Sequence, residues 1–211
     1  MICRNCRKTN FLRIAEIGSQ PISSIFLNKK KNIKKYSLDL FECQSCKLIQ
    51  LSKIPNLKDM YGPKYGYKTS VSKLMVGHLK NKFFKLKKFK ILKKNSNILD
   101  IGSNDGTFLN FFSKTKREKW QLFGIDPSAE AFIKNYNKKI KVIVDFFNQK
   151  IVQEYFIKTN KKFSIITSFA MFYDIENPNE FCKNISRILE KKWNLGPRIL
   201  IFSSSFKKSY I

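Results

Sequence analysis

Residues 98–109 read ILDIGSNDGTFL, and their interpretation decides the fold. Ile98, Leu99 and Ile101 surround Asp100 in a short apolar run with the character of a buried strand. Gly102 and Gly106 then bracket Ser103, Asn104 and Asp105, and Thr107, Phe108 and Leu109 begin a helix-like segment. The chain has only 8 glycines in 211 residues, so two of them four apart at a strand-to-helix turn need a reason. Glycine admits the positive φ of a tight turn and lets a ligand approach with no Cβ in the way. Asn104 stands where a third glycine is common, and Asn tolerates the left-handed region. Asp100, at the end of the strand, can accept from loop amides or from a cationic ligand group. The spacing Asp-x-Gly-x-x-x-Gly is neither the dinucleotide fingerprint nor a P-loop.

Outward from this turn the chain alternates. NILDI (97–101), QLFGI (121–125), IKVIV (140–144) and FSIITS (163–168) are apolar runs, separated by helix-like segments at 107–116, 128–137, 149–159 and 177–190. Such alternation predicts a parallel, doubly wound sheet, whose ligands lie at the carboxyl ends of the strands. Asp126 closes the second run in GIDPS, followed by Pro127, and can accept from ribose hydroxyls. Asp145 closes the third run in VDFF, where a carboxylate can accept from an exocyclic amine while Phe146 covers the ring. Each acid also has a structural reading: Asp100 as a loop cap, Asp126 as an N-cap before Pro127, Asp145 as the start of a turn. Three acids at three successive strand ends favour an adenosyl site over those separate explanations. Upstream, SVSKLMVGHLKNKFFKLKKF (70–89) predicts a helix with Val71, Leu74, Met75, His78, Leu79, Phe83 and Leu86 on its apolar stripe, capped by Thr69 or Ser70.

Four of the five cysteines form two Cys-x-x-Cys pairs, Cys3 with Cys6 and Cys43 with Cys46, with 36 residues between them. Each pair sets two thiolates on one turn, and two turns complete a closed tetrahedral shell, which predicts a structural Zn²⁺ rather than a catalytic one. A redox Cys-x-x-Cys is the rival, but nothing around either pair has a thioredoxin-like setting. Cys182 is expected to face the core of its helix.

With 43% hydrophobic residues the chain can bury a core, and no run approaches the length of a membrane span. The first ten residues hold no apolar signal region, so the cytoplasm is the expected location, where paired cysteines serve metals rather than disulfides. The formal charge is +27, with 36 Lys against six Arg. Lys arrives with abundant Asn, Ile and Phe, all A- and T-rich codons, and a base reader would favour the planar fork of Arg. The excess is therefore read as solvated lysine faces, with nucleic acid as the less favoured partner.

The motifs in combination resemble class I methyltransferases that use S-adenosylmethionine, in the branch with an N-terminal zinc domain that includes sugar-nucleotide C-methyltransferases. DIGSNDG (100–106), GIDPS (124–128) and VDFF (144–147) resemble its cofactor motifs. SFAMFYDIENPNEF (168–181) resembles the segment after its fourth strand, and YGYKTSVSKLMVGHL (65–79) its bridge into the catalytic domain. The resemblance covers residues 2 to 190. It implies an α/β fold: an incomplete Rossmann-like methyltransferase sheet of strands 1 to 4 or 5, preceded by a small zinc-binding domain. The expected divisions are a zinc domain at 1–60, a tyrosine-rich loop and helix at 61–94, a cofactor domain at 95–202 and an aberrant tail at 203–211. The implied cofactor residues are Asp100, Gly102, Ser103, Asn104, Gly106, Asp126, Pro127, Asp145, Phe146 and Met171. The implied metal ligands are Cys3, Cys6, Cys43 and Cys46. Tyr65, Tyr67 and His78 are candidates for facing substrate; the tyrosines also read as turn residues between domains, and His78 as a partly buried member of the helix stripe. The implied acceptor is a small molecule such as a nucleotide-linked sugar.

Full-length members of that branch are about twice as long, and their catalytic Glu-His pair has no counterpart here, so no catalytic residue is named. The last twenty residues also depart from the branch, which has a glycine turn and an apolar strand ending in Glu. A one-base slip in an A-rich run at Lys191-Lys192-Trp193 would restore that pattern, so a frameshifted end is expected, with a natural stand-alone fragment as the alternative, leaving an open sheet edge, marginal stability and weak or absent turnover. Two other functions stay open: an RNA methyltransferase that clamps RNA with its zinc module and lysines, and a non-catalytic zinc-ribbon interaction protein.

Overall fold

The computed structural model describes residues 1–22, 29, 32–62, 65–88, 92–115, 118–190 and, as backbone, 199–203. The chain forms two compact units, Met1–Tyr67 with Asp174–Cys182, and Lys68–Tyr173 with Lys183–Ile211.

The first unit is built of short strands. Strand β1 (Phe11–Ala15) is followed by β2 (Ser19–Pro21), β3 (Lys35–Ser37), β4 (Leu40–Cys43) and β5 (Ile49–Leu51). β1, β4 and β5 make an antiparallel sheet in that order, with Phe11 opposite Cys43, and β2 pairs antiparallel with β3. A short helix α1 (Leu57–Met60) starts at Asn56, whose side chain accepts from the Lys58 amide.

The second unit is the predicted α/β layer structure. Helix α2 (Lys73–Lys88) leads into β6 (Asn97–Ile101), α3 (Thr107–Ser113), β7 (Gln121–Ile125), β8 (Ile140–Ile143), α4 (Gln149–Ile151), β9 (Ile165–Phe169) and β10 (Ile199–Ser203), and α5 (Pro178–Ile188) starts in the first unit and enters the second at Lys183. The sheet runs β10-β9-β6-β7-β8 and every pairing is parallel. All carboxyl ends therefore emerge at one edge, with the order reversing between β6 and β9. The strands form because β-branched and aromatic side chains cover both faces. On one face Ile98, Leu122 and Ile165 meet Leu79, Phe83 and Leu86 of α2 and Phe108, Leu109 and Phe112 of α3. On the other, Phe123, Phe156 and Phe163 meet edge to face with centroids 5.0–6.3 Å apart.

Several expectations are corrected. The segment expected as a helix at 128–137 is a 3₁₀ stretch, Ala129–Asn135, and α4 continues as a π-helical turn, Val152–Ile157. Thr69 and Ser70 do not cap α2; they lie in a 3₁₀ turn, Thr69–Val71, and the Ser72 hydroxyl accepts from the Met75 amide instead. That turn takes Val71 out of helical register, and Leu74, inside α2, lies about half a turn round the helix from Phe83; they are 73% and 85% exposed and the apolar stripe begins only with Met75. Cys182 is exposed, because α5 turns Phe181, Ile185 and Ile188 inward and carries its neighbour outward. Residues 191–193, the site of the expected frameshift, and 204–211, most of the expected tail, lie outside the described residues. No helix among the described residues is long and apolar enough to cross a membrane.

Candidate functional site

Two places concentrate chemistry. In the first unit, the Sγ atoms of Cys3, Cys6, Cys43 and Cys46 lie within 4.8 Å of one another. Cys3 and Cys46 approach to 3.5 Å, as do Cys6 and Cys43. A tetrahedral Zn²⁺ with four thiolates needs sulfurs about 3.8 Å apart, so this set fits with small adjustment. The two turns are built alike. The Arg7 amide donates to the Cys3 carbonyl and the Lys47 amide to the Cys43 carbonyl. Arg7 and Lys47, one residue past each pair, take φ of 65° and 62°. Gln50, buried nearby, accepts from the Arg4 amide and donates to the Ile2 carbonyl, tying the first turn to β5. The Leu48 amide lowers Cys46 to about 6, against burial and with help from the neighbouring thiols. The Lys8 amide favours the Cys6 thiolate, yet burial and the other thiols outweigh it and carry Cys6 to about 11. Four thiols cannot all ionise in so small a space without a cation, which is the electrostatic case for a metal here.

In the second unit, the carboxyl ends of β6 to β9 bring together the glycine loop, Asp126, Asp145 and Met171. Gly102 and Gly106 have φ of 76° and 74°, and Asn104, standing for the third glycine, has 48°. The Gly102 and Ser103 amides both donate to the Ile125 carbonyl, at 2.8 and 3.3 Å, which ties the loop to β7. A Cβ on Gly102 would fall 3.1 Å from the Met171 side chain, and Ala170 before Met171 is itself at φ 52°. Asp100 is fully buried; burial raises its carboxyl to about 7, opposed by the Thr167 hydroxyl at 2.7 Å and reinforced by Asp126. Asp126 takes the Asn104 amide on one oxygen, at 2.8 Å, and the Ser128 amide and hydroxyl on the other. It therefore anchors the loop and caps the Pro127 turn at once, with room for one more donor. Asp145 is exposed and accepts from the Phe146 amide, while Phe146 is half-buried. The Ser168 hydroxyl, buried near the end of β9, has no hydrogen-bond partner among the described residues.

Sequence reading missed four contributors. Thr69 donates to Asn104 through both amide and hydroxyl, and Ser70 donates its amide to Asp105, so the turn before α2 clamps the loop. Asp105 also accepts from the Thr107 amide and hydroxyl, starting α3. Tyr136 donates its phenol to the Asn104 carbonyl at 2.7 Å and meets the Ser103 hydroxyl at 2.8 Å. Its ring lies where a Cβ on Gly106 would sit, at 2.6 Å, so Gly106 is required by Tyr136 as well as by φ. Burial, then the surrounding carboxylates, raise the phenol far above its ordinary value despite the Ser103 hydrogen bond. Of the residues expected to face substrate, Tyr65 and Tyr67 sit in the first unit with ring centroids 6.3 Å apart, and Tyr65 also meets Tyr61 edge to face at 5.1 Å. His78 sits on α2, half-buried, its basicity lowered by burial and by Lys82 and Lys85.

A methyltransferase-domain family model matches residues 75–195, more than half of the chain. The chain belongs to the methyltransferase domain family. A second model, described as a zinc binding domain, matches residues 3–61 and so contains all four clustered cysteines. No curated protein matches the chain. Among solved structures, the methyltransferase domain is similar to the plantazolicin methyltransferase BpumL in complex with SAH, at 25% identity and TM-score 0.41. That match covers 56% of this chain and 43% of BpumL, so the chain spans less than half the length of that protein. It is also similar to a protein from Methanococcus maripaludis described as S-adenosyl-L-methionine-dependent, at 17% identity and TM-score 0.41, covering 63% of this chain and 55% of that one. A complex from Haloferax volcanii of a methyltransferase with its Trm112 activator matches at 19% identity and TM-score 0.38, over 54% and 52%.

Proposed function

We propose that this chain is the zinc-binding and cofactor-binding part of an S-adenosylmethionine-dependent methyltransferase acting on a small molecule, with a nucleotide-linked sugar as the acceptor class. The observation that carries the reading is the convergence of the Gly102–Gly106 loop, Asp126 and Asp145 at the carboxyl edge of one parallel sheet. Fit is supported by the open acceptor site on Asp126 and by the unpartnered Ser168 hydroxyl, whereas the space over Gly102 and Gly106 is taken by Met171 and Tyr136. Asp126 would hold the ribose, Asp145 and Phe146 the adenine, and Met171 the wall over Gly102.

When bound, the cofactor supplies an electrophilic methyl on a sulfonium. The chain's own task is then to position and to exclude water. Asn104, fixed by Thr69 and Asp126, keeps the loop amides at constant orientation. Burial raises Asp100 to about 7, which lowers the negative charge at the floor of the site. Methylation of carbon needs a base beside a carbonyl, and no residue here is assigned that role. Zn²⁺ held by Cys3, Cys6, Cys43 and Cys46 would be structural, since all four positions are filled by protein.

Calorimetric titration of the zinc-loaded chain with S-adenosylhomocysteine tests the reading. One site is expected, weakened at least tenfold by Asp145→Ala, which removes an exposed carboxylate with little effect on the fold. A folded, zinc-loaded chain with no heat of binding would end it and favour a non-catalytic zinc module.

A further inference from the structure

Between Met60 and Leu99 the sequence holds eleven lysines and no Asp or Glu. A- and T-rich coding explains many lysines but not this gap, because the same coding leaves all 15 Asp and Glu of the chain outside it. The gap coincides with one element. Helix α2 buries Leu79, Phe83 and Leu86 in the core and turns Lys73, Lys80, Lys85, Lys87 and Lys88 to solvent, with Lys93 and Lys94 exposed just beyond it.

Among the described residues, none of those lysines has an ion-pair partner. The ion pairs among the described residues all lie between Arg13 and Asp59, in the first unit. Within α2, Lys82 and His78 both have their basicity lowered, by burial first and then by neighbouring lysines. The helix thus carries a positive field along its length of about 24 Å. On the same face, one turn from Lys80 and one from Lys87 and Lys88, stands Phe84, 48% exposed, with the Lys80 ammonium 5.9 Å from its ring centroid. An exposed ring flanked by unpaired ammonium groups offers a base a stacking surface and phosphates their counter-ions.

We propose that the solvent face of α2, centred on Lys80, Phe84, Lys87 and Lys88, is a docking surface for single-stranded nucleic acid. An anionic bilayer fits less well, because the apolar stripe of α2 is occupied by the core and leaves no continuous apolar face to enter lipid. The surface does not depend on the methyl acceptor, and its test does not read methylation.

The test is fluorescence anisotropy of a labelled oligouridylate with the zinc-loaded full chain, between about 50 and 200 mM salt. Binding that weakens steeply with salt is expected. The triple variant Lys80→Gln, Lys87→Gln, Lys88→Gln should lower the salt slope by about 2, at about 0.7 per phosphate contact, and weaken binding at least tenfold. A control triple of equal charge, Lys138→Gln, Lys139→Gln, Lys150→Gln, should change it less than about twofold. Phe84→Ala should weaken it about fivefold or more through lost stacking. Equal losses in the two triples would reduce the effect to net charge and overturn the proposal. So would undetectable binding at the lower salt, or binding of phosphatidylserine vesicles that is lost in the α2 triple while oligouridylate binding persists. Gln keeps helix propensity, and should the triple still fail to fold, Phe84→Ala and Lys87→Gln singly decide the matter.

Discussion

The cysteine cluster and the glycine loop are both announced by short motifs, yet their order has different sources. In the cluster each pair of ligands comes from one tight turn whose shape is set within five residues, by the Arg7 and Lys47 amides. What closes it is a cation, without which the thiols divide their protons unevenly, Cys6 high and Cys46 low. In the glycine loop the closure is supplied by protein. Asn104 is reached from Thr69, 35 residues earlier, and from Asp126 and Tyr136, 22 and 32 residues later. One region borrows its order from a metal; the other assembles it from partners scattered along the chain.

The largest effect that can break this contrast is loss of the ion. Structural Zn²⁺ sites contribute an apparent 10–16 kcal/mol, on the order of the whole stability of a small module. Cys43→Ser is therefore expected to lose the equimolar zinc and to leave residues 1–60 open to protease. Atomic absorption and the positions of proteolytic cleavage check it. Full zinc content in Cys43→Ser would show that the cluster is not the ligand set. Gly106→Ala, by the same contrast, should leave zinc content unchanged.

Gly106→Ala acts through the protein instead. The Cβ would meet the Tyr136 ring at 2.6 Å, in a backbone conformation at φ 74° that L residues avoid. Strain and overpacking together predict a loss of about 3 kcal/mol in unfolding free energy. Tyr136→Phe leaves the Asn104 carbonyl and Ser103 hydroxyl short of a buried partner, a loss of about 2 kcal/mol. The double variant sharpens the picture: because a displaced ring has already lost its hydrogen bonds, the two losses should add to less than their sum. Strict additivity in denaturant titrations would mean that Tyr136 and Gly106 do not act as one unit.

The same contrast explains what was legible beforehand. NILDI and QLFGI occupy the residues of β6 and β7, because a fully buried parallel strand writes its whole length as an apolar run. The four cysteines were legible because ligand spacing is local. Asp100, Gly102, Asn104 and Gly106 were legible as positions, since a tight loop demands those residue types. Their partners were not. Nothing about Tyr136 or Thr69 in the sequence marks them as loop anchors; their roles come from where the sheet delivers them. Asp126 was legible as an acid at a strand end, but its hold on the Asn104 amide comes from where the loop folds back in space. Val71 misled for a related reason: periodicity shows which residues could share a face, while the 3₁₀ turn held by Asn104 and Asp105 decides where the helix begins, and Leu74 then falls on the face away from Phe83.

The smallest expected effect concerns the floor of the loop. Asp100 titrates at about 7 in the folded chain, where burial favours the neutral acid, and near 4 once unfolded. Between those values the folded state holds a proton that the unfolded state releases. The unfolded state binds fewer protons, so stability falls as pH rises from about 4 to about 7 and is level above. Zinc affinity runs the opposite way with pH, since its thiolates must deprotonate, so the comparison has to be made between chains that share the same cluster. Asp100→Asn keeps an acceptor for the Thr167 hydroxyl and removes the titration. Between about pH 5 and pH 6.5 the wild-type chain should therefore lose about 1–2 kcal/mol relative to the variant, read from paired denaturant titrations of the zinc-loaded proteins. Parallel curves for the two chains would mean that Asp100 is ionised in the folded state, and the floor beneath Gly102 would then carry a charge able to attract the cationic end of a ligand.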